Sequence, residues 1–185
     1  MGVRNYVRDI VWDLRAPLMP PLKKSELCPG SSILFVCKGN ICRSPFAEAY
    51  TQKKASALGL YELDVTSGGI KVSAPETPPK EALKAAELLG LSLKCSRSQP
   101  VTQEMISSHS LVIAMEWSHV KLLGQQFSLG SSVVNVLAGY DHKEKLAGFD
   151  RFNIRDPYGK SVEDFASCYE RISRCIDNLF KHFHS

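Results

Sequence analysis

No apolar run in the sequence is long enough to cross a bilayer. The longest, such as Ile33 to Cys37 and Ser110 to Met115, fall far short of the ~20 residues a spanning helix needs. The first thirty residues also lack the uninterrupted apolar core of a secretory leader, because Arg4, Arg8, Asp9, Asp13 and Arg15 break it up, so a cytoplasmic location is expected. A strong charge of either sign is missing too. The 23 Lys+Arg against 19 Asp+Glu leave +4, and no basic run exceeds Lys23-Lys24 or Lys53-Lys54, which argues against nucleic acid or a membrane surface as partner. There is no internal repeat and no low-complexity segment, which excludes a solenoid. Metal-ligand spacing is absent as well. His109, His119, His142, His182 and His184 show none, Cys37 and Cys42 have no second close pair, and Cys168 and Cys175 lie seven residues apart on a helical pattern.

What is present is an ordinary globular chain of 185 residues, 44% hydrophobic and 23% charged, long enough for one domain with its own core. Six widely spaced cysteines in such a chain read as free thiols rather than a disulfide scaffold. Residues 1–30 read as an N-terminal extension and linker. A short amphipathic piece (Tyr6, Ile10, Val11, Leu14) runs into Pro17, Pro20, Pro21 and Pro29, which prevent a continuous helix. Residues 31–185 read as the domain. Strand-like runs at Ile33 to Cys37, Leu63 to Ser67, Ser110 to Met115 and Val133 to Leu137 alternate with helical patterns near 45–59, 79–89, 116–126 and 161–183. In the last of these, Phe165, Tyr169, Ile172, Ile176, Leu179, Phe180 and Phe183 recur at three- and four-residue steps. Strands separated by helix-length segments predict a three-layer α/β sandwich with a parallel sheet covered on both faces.

The chemistry concentrates after the first strand, in Cys37-Lys38-Gly39-Asn40-Ile41-Cys42-Arg43-Ser44-Pro45. In an open α/β sheet the carboxyl end of a strand is where ligands bind. Ser44 suits an N-cap and Pro45 a first helical position, which would place the NH groups of Lys38 to Ser44 at the positive end of a helix dipole. Gly39 permits positive φ and Asn40 tolerates a left-handed conformation, so successive NH groups can turn inward around an oxyanion. Cys37 enters this cradle and Arg43 closes it. A thiol at a helix N-terminus beside arginine is favoured as the thiolate, the nucleophilic form, and the arginine fork matches two phosphoryl oxygens.

This run, with Leu34 before it and Ala47-Glu48 after it, resembles the signature of the low-molecular-weight protein tyrosine phosphatases nearly residue for residue. The resemblance spans about Ser32 to His182. It implies a four-stranded parallel sheet with flanking helices and hydrolysis of phosphomonoesters without metal or other cofactor. It further implies that Asn40 braces the loop, that Ser44 hydrogen-bonds the thiolate, and that Ser67 supports the asparagine. Its implied substrate is a tyrosine-phosphorylated protein, with a tyrosine kinase as the cellular counterpart.

Transfer of a phosphoryl group to Cys37 needs an acid for the leaving oxygen. Asp156-Pro157-Tyr158-Gly159 is the candidate and matches the family's late motif, in which the aspartate is acid first and base afterwards. Tyr158 is expected to wall the cleft for a planar aryl group. Two departures stand out. Counted without gaps from Ser67 to Pro78-Pro79, the wall position that is usually aromatic is Ser73, and the late motif has one tyrosine where two are usual. Cys42, beside Cys37 in the loop, is a candidate redox partner for it.

Three other readings remain at this stage. Arsenate reductases of the same fold need two further cysteines, and here Met115 stands where the first is expected. Protein arginine phosphatases carry threonine at the place of Ile41. A non-catalytic phosphate-binding module would not need Cys37, Arg43 and Asp156 together.

Overall fold

In the computed structural model, residues 30–129, 133–141, 150 and 152–181 are described. The expectation for residues 1–30 falls almost wholly outside them.

Four strands, β1 (Ser32–Cys37), β2 (Asp64–Gly69), β3 (Leu111–Ala114) and β4 (Val133–Val136), form one sheet in the order β2-β1-β3-β4. Every pairing is parallel. The crossovers carry α1 (Arg43–Ala57), α2 (Lys80–Leu88), α3 (Gln103–Ser108) and α4 (Trp117–Gln126), and α5 (Val162–Phe180) closes the chain. A 3-10 turn, Leu137–Tyr140, follows β4.

β1 is the centre of the molecule. Ile33, Leu34, Phe35 and Val36 are wholly buried, as expected of a parallel strand covered on both faces. Its pleat divides the core. Ile33, Phe35 and Cys37 face a cluster with Phe46 of α1, Ala85 of α2 and Ile172 of α5, while Leu34 and Val36 face Ile106 of α3 and Leu123 of α4. Since β1 has β2 on one side and β3 on the other, the chain leaves its carboxyl end at the point where strand order reverses. That is the crevice where open α/β sheets bind ligands.

The terminal helix holds this crevice from below. Ser161 caps α5 in a reciprocal box with Asp164. Its buried stripe brings Tyr169 onto Phe46, ring centroids 3.9 Å apart and nearly parallel, and the Tyr169 hydroxyl donates to the carbonyl of Cys42 at 3.3 Å. Arg171 and Arg174 clamp Asp141, after the 3-10 turn, through Nε–O contacts of 2.9 and 3.0 Å. Among the described residues no helix is long and apolar enough to cross a membrane.

Each expected strand is present within two residues of its expected bounds, and each expected helix within three. α3 was not anticipated. Six residues, Gln-Glu-Met-Ile-Ser-Ser, carry too little apolar periodicity to be read, and the helix is set by Thr102, whose hydroxyl accepts from the Met105 NH.

Candidate active site

The loop joining β1 to α1 is built around the sulfur of Cys37. The NH of Asn40 donates to Cys37 Sγ at 3.2 Å and the Ser44 hydroxyl at 3.0 Å. Asn40 takes the left-handed conformation, φ 53°, and its own side chain fixes it there. Its amide donates to Ser44 Oγ (3.0 Å) and Ser67 Oγ (2.8 Å), and its carbonyl oxygen accepts from the Gln99 NH (2.9 Å). Ser67 passes its own hydrogen to Glu48 at 2.6 Å. Donation therefore diverges from the Asn40 amide, through Ser44 to Cys37 on one side and through Ser67 to the Glu48 carboxylate on the other. Burial pushes the Glu48 carboxyl up, against the pull of the Ser67 hydrogen bond.

The second strand allows this approach because it ends in Gly68-Gly69. A Cβ at Gly69 would lie 3.0 Å from both the N and the Cβ of Asn40, so only glycine lets the loop rest on the sheet.

Two local expectations are corrected here. Ser44 is not the N-cap: Cys42 occupies that position, the helix starts at Arg43, and no side chain caps it. The Ser44 hydroxyl is already committed to Cys37 and Asn40, and Pro45 fits the third helical position because first-turn NH groups need no intrahelical partner. Gly39 does not have positive φ; Asn40 alone makes the left-handed turn.

Arg43 is almost wholly buried, and three acceptors hold it. Nη1 donates to Glu116 (2.5 Å) and to the Ile154 carbonyl (2.8 Å), and Nη2 to Asp156 (2.7 Å). Its Nε is buried with no partner. Burial opposes its charge, but Cys37, Asp156 and Glu116 around it raise its pKa overall. Burial likewise opposes ionisation of Glu116, and the guanidinium overrides it, holding that carboxyl below the usual range. His119, one turn on, is pushed down to about 4 by burial despite the nearby Glu116 carboxylate, and its Nδ1 has no partner. Burial raises the Cys42 thiol far above the ordinary cysteine range, with Asp156 and Cys37 adding to it.

Cys37, Lys38, Arg43, Asp156 and Tyr158 border one cleft of about 230 Å³, together with Gly39, Ile41 and Cys42. Asp156 reaches it from the loop before α5, with Oδ1 accepting the Tyr158 NH at 3.2 Å. Tyr158 is 62% exposed and forms part of the wall. Val72, after β2, also borders the cleft, whereas Ser73 is exposed and does not. Asn40, Ser44 and Ser67 lie behind the loop as its braces. Among the described residues no group of His, Cys, Asp or Glu is arranged to hold a metal.

Glu116, Gln99 and the second-strand glycines were not singled out from the sequence. Glu116 carried one usable signal, since it follows Met115 at the carboxyl end of β3, on the edge where ligands bind. Gln99 carried none, because it acts through its backbone NH as well as its side chain.

Residues 32–185 match the family model described as low molecular weight phosphotyrosine protein phosphatase. The chain is 31% identical to a protein-arginine-phosphatase of Bacillus subtilis, over 80% of this chain and 94% of that one. It is 30% identical to the low molecular weight protein-tyrosine-phosphatase Etp of Escherichia coli K12, over 82% and 93%. A solved low molecular weight protein tyrosine phosphatase from T. tengcongensis superposes with a TM-score of 0.72 at 28% identity, covering 82% of this chain and 98% of that one.

Proposed function

Since the chain belongs to the low molecular weight phosphotyrosine protein phosphatase family, we propose that Cys37, Arg43 and Asp156 hydrolyse phosphotyrosine in proteins through a cysteinyl-phosphate intermediate. The observation that carries this is the meeting of three groups in one cleft: a sulfur with two donors on it, a buried guanidinium with a spare Nε, and a carboxyl beside both. The phosphate seats on the NH groups of the loop from Lys38 to Arg43 and accepts from the Arg43 fork. It displaces Asp156 from Nη2 and leaves that carboxyl beside the ester oxygen. Cys37 attacks phosphorus, the ester P–O bond breaks, and Asp156 gives its proton to the phenolate oxygen. Water then attacks phosphorus, Asp156 takes its proton, and the S–P bond breaks to release phosphate. The loop donors stabilise the charge that builds on the equatorial oxygens in both steps.

Tyr158, Val72 and Ile41 supply the apolar lining against which an aryl ring packs. A second reading, phosphoarginine hydrolysis, is supported by the likeness to the B. subtilis protein-arginine-phosphatase. Ile41, where a threonine is expected for that activity, favours tyrosine. The substrate is a protein phosphorylated by a tyrosine kinase, the kinase itself included. A cytoplasmic site of action fits the free thiols of Cys37, Cys42, Cys95, Cys168 and Cys175.

The test is hydrolysis of p-nitrophenyl phosphate, a phosphotyrosine peptide and a phosphoarginine peptide in chelator, by the native protein and by Cys37→Ser. Turnover of the two aryl esters, lost in Cys37→Ser, is expected. Turnover of phosphoarginine alone would select the second reading, and equal activity of the variant would overturn the cysteine mechanism.

A further inference from the structure

The mouth of the cleft carries two lysines that the chemistry above does not use as charges. Lys38 follows β1 and Lys71 follows β2, neighbouring parallel strands in which Cys37 pairs with Gly69. The two segments stay joined beyond the sheet. The Ile70 NH donates to the Cys37 carbonyl at 3.1 Å and the Lys71 NH to the Lys38 carbonyl at 2.8 Å. The backbones under the two side chains are therefore fixed side by side at one rim. Both lysines are exposed, and both border the cleft that holds Cys37 and Arg43. Among the described residues neither takes part in an ion pair, whereas Lys54 is held by Asp177 and Lys94 by Glu87.

The other charges bordering the cleft do not neutralise this pair. Asp156 is bound to Arg43 in the free protein, and once the phosphate displaces it, it carries the proton that it gives to the leaving oxygen. Glu76 stands further along the loop after β2, on backbone anchored by Ser98, whose Oγ accepts the Glu76 NH at 2.8 Å. The rim is thus cationic beside the β1 and β2 ends and anionic at Glu76. When a phosphate occupies the loop it neutralises Arg43, and the two ammonium groups are left facing whatever flanks the phosphorylated residue.

We infer that Lys38 and Lys71 form a subsite for an acidic side chain next to the phosphotyrosine, so the preferred substrates carry aspartate or glutamate flanking it. The inference rests on the phosphotyrosine reading above. Exposed pairs of this kind act through modest attraction and through steering of the encounter, both weakened by salt. Together two lysines should raise kcat/KM for an acid-flanked peptide about three- to tenfold over a neutral one.

The experiment uses the full chain and three phosphotyrosine peptides of equal length, with acidic, neutral or basic flanks, and p-nitrophenyl phosphate as an unflanked probe. At low ionic strength kcat/KM should fall in the order acidic, neutral, basic, and the spread should collapse at about 0.5 M salt, where the screening length is a few ångströms. The acidic-to-neutral ratio should fall toward one in Lys71→Gln and in Lys38→Gln/Lys71→Gln, and invert in Lys38→Glu/Lys71→Glu. Equal rates on the three peptides, or a preference for basic flanks, would overturn the inference and leave the phosphatase assignment standing, because p-nitrophenyl phosphate is still turned over. A preference that survives in the double glutamine variant would place its origin elsewhere and overturn it too. No turnover of any aryl phosphate would overturn the phosphatase reading and this inference with it.

Discussion

Asn40 is the residue on which the site's geometry turns, because it supplies a rare backbone conformation and three side-chain hydrogen bonds at once. The two contributions can be separated. In Asn40→Gly the left-handed φ is free but the bonds to Ser44, Ser67 and Gln99 are gone; in Asn40→Ala the same bonds are gone and a Cβ must sit at φ 53°, at about 1–2 kcal/mol. Both variants should lose kcat, since Ser44 is no longer oriented toward Cys37, and the alanine variant alone should show a further drop in unfolding midpoint. Equal stability of the two would mean that the left-handed turn costs nothing here. Arg43→Lys keeps the charge but not the fork, and kcat on p-nitrophenyl phosphate should fall about a hundredfold or more. His119 makes a prediction of a different sort. Its folded pKa is depressed to about 4, so as pH falls the unfolded chain takes up the proton first. Stability should decline from about pH 6.5 down to about pH 4, by roughly 3 kcal/mol at one proton per molecule. Urea midpoints across that range should show the slope in the native protein and a shallower one in His119→Gln.

At the level of elements, the strands and longer helices were legible because each obeys a simple physical rule. β1 is buried on both faces and so reads as an unbroken apolar run; α5 is buried along one stripe and so reads at helical spacing. What escaped was structure set by contacts between distant segments. β2 runs on through Gly68-Gly69, residues of poor strand propensity, because the backbone of Asn40 and the side chain of Val101 press too close for any Cβ. The loop was legible as an anion cradle, and the partners that hold Arg43 open to it were not, since Glu116 and Ile154 come from other parts of the chain. The clamp on Asp141 is of the same kind and can be tested. Its carboxyl is held below the ordinary aspartate range, with burial opposed by Arg174 and Arg171. Asp141→Asn should therefore cost about 3 kcal/mol near neutral pH, as expected when one member of a buried ion cluster is removed. The native advantage is present above the ordinary aspartate pKa and fades as pH falls through the lower folded value. A loss that stayed constant down to pH 2 would show that the charge is not what the clamp uses. Ser161→Ala, which removes the cap of the same helix, should cost about 1 kcal/mol.

For the whole molecule, the decisive fact is that the site is not an attachment to the fold but its centre. The loop starts on a strand buried on both faces, ends in a helix of the larger core, and is held by Tyr169 from α5 and by Gln99 from the segment before α3. Anything that binds the loop in the folded state therefore has to come off before the chain can unfold as a unit, and binding must appear as global stability. Inorganic phosphate is the simplest such probe. At a hundred times its dissociation constant it should add about 2.7 kcal/mol. For a chain of this size that corresponds to a rise in melting temperature of roughly 5–10 °C. Cys37→Ser, which keeps the loop donors and Arg43, should keep most of the shift while losing turnover. Arg43→Ala should lose most of it, because the guanidinium supplies the fork and the spare Nε that a tetrahedral anion would accept from. If phosphate instead stabilised Arg43→Ala as strongly as the native protein, the anion would be binding somewhere other than this loop. The proposed seat for the phosphoryl group would then be wrong, whatever the turnover measurements showed.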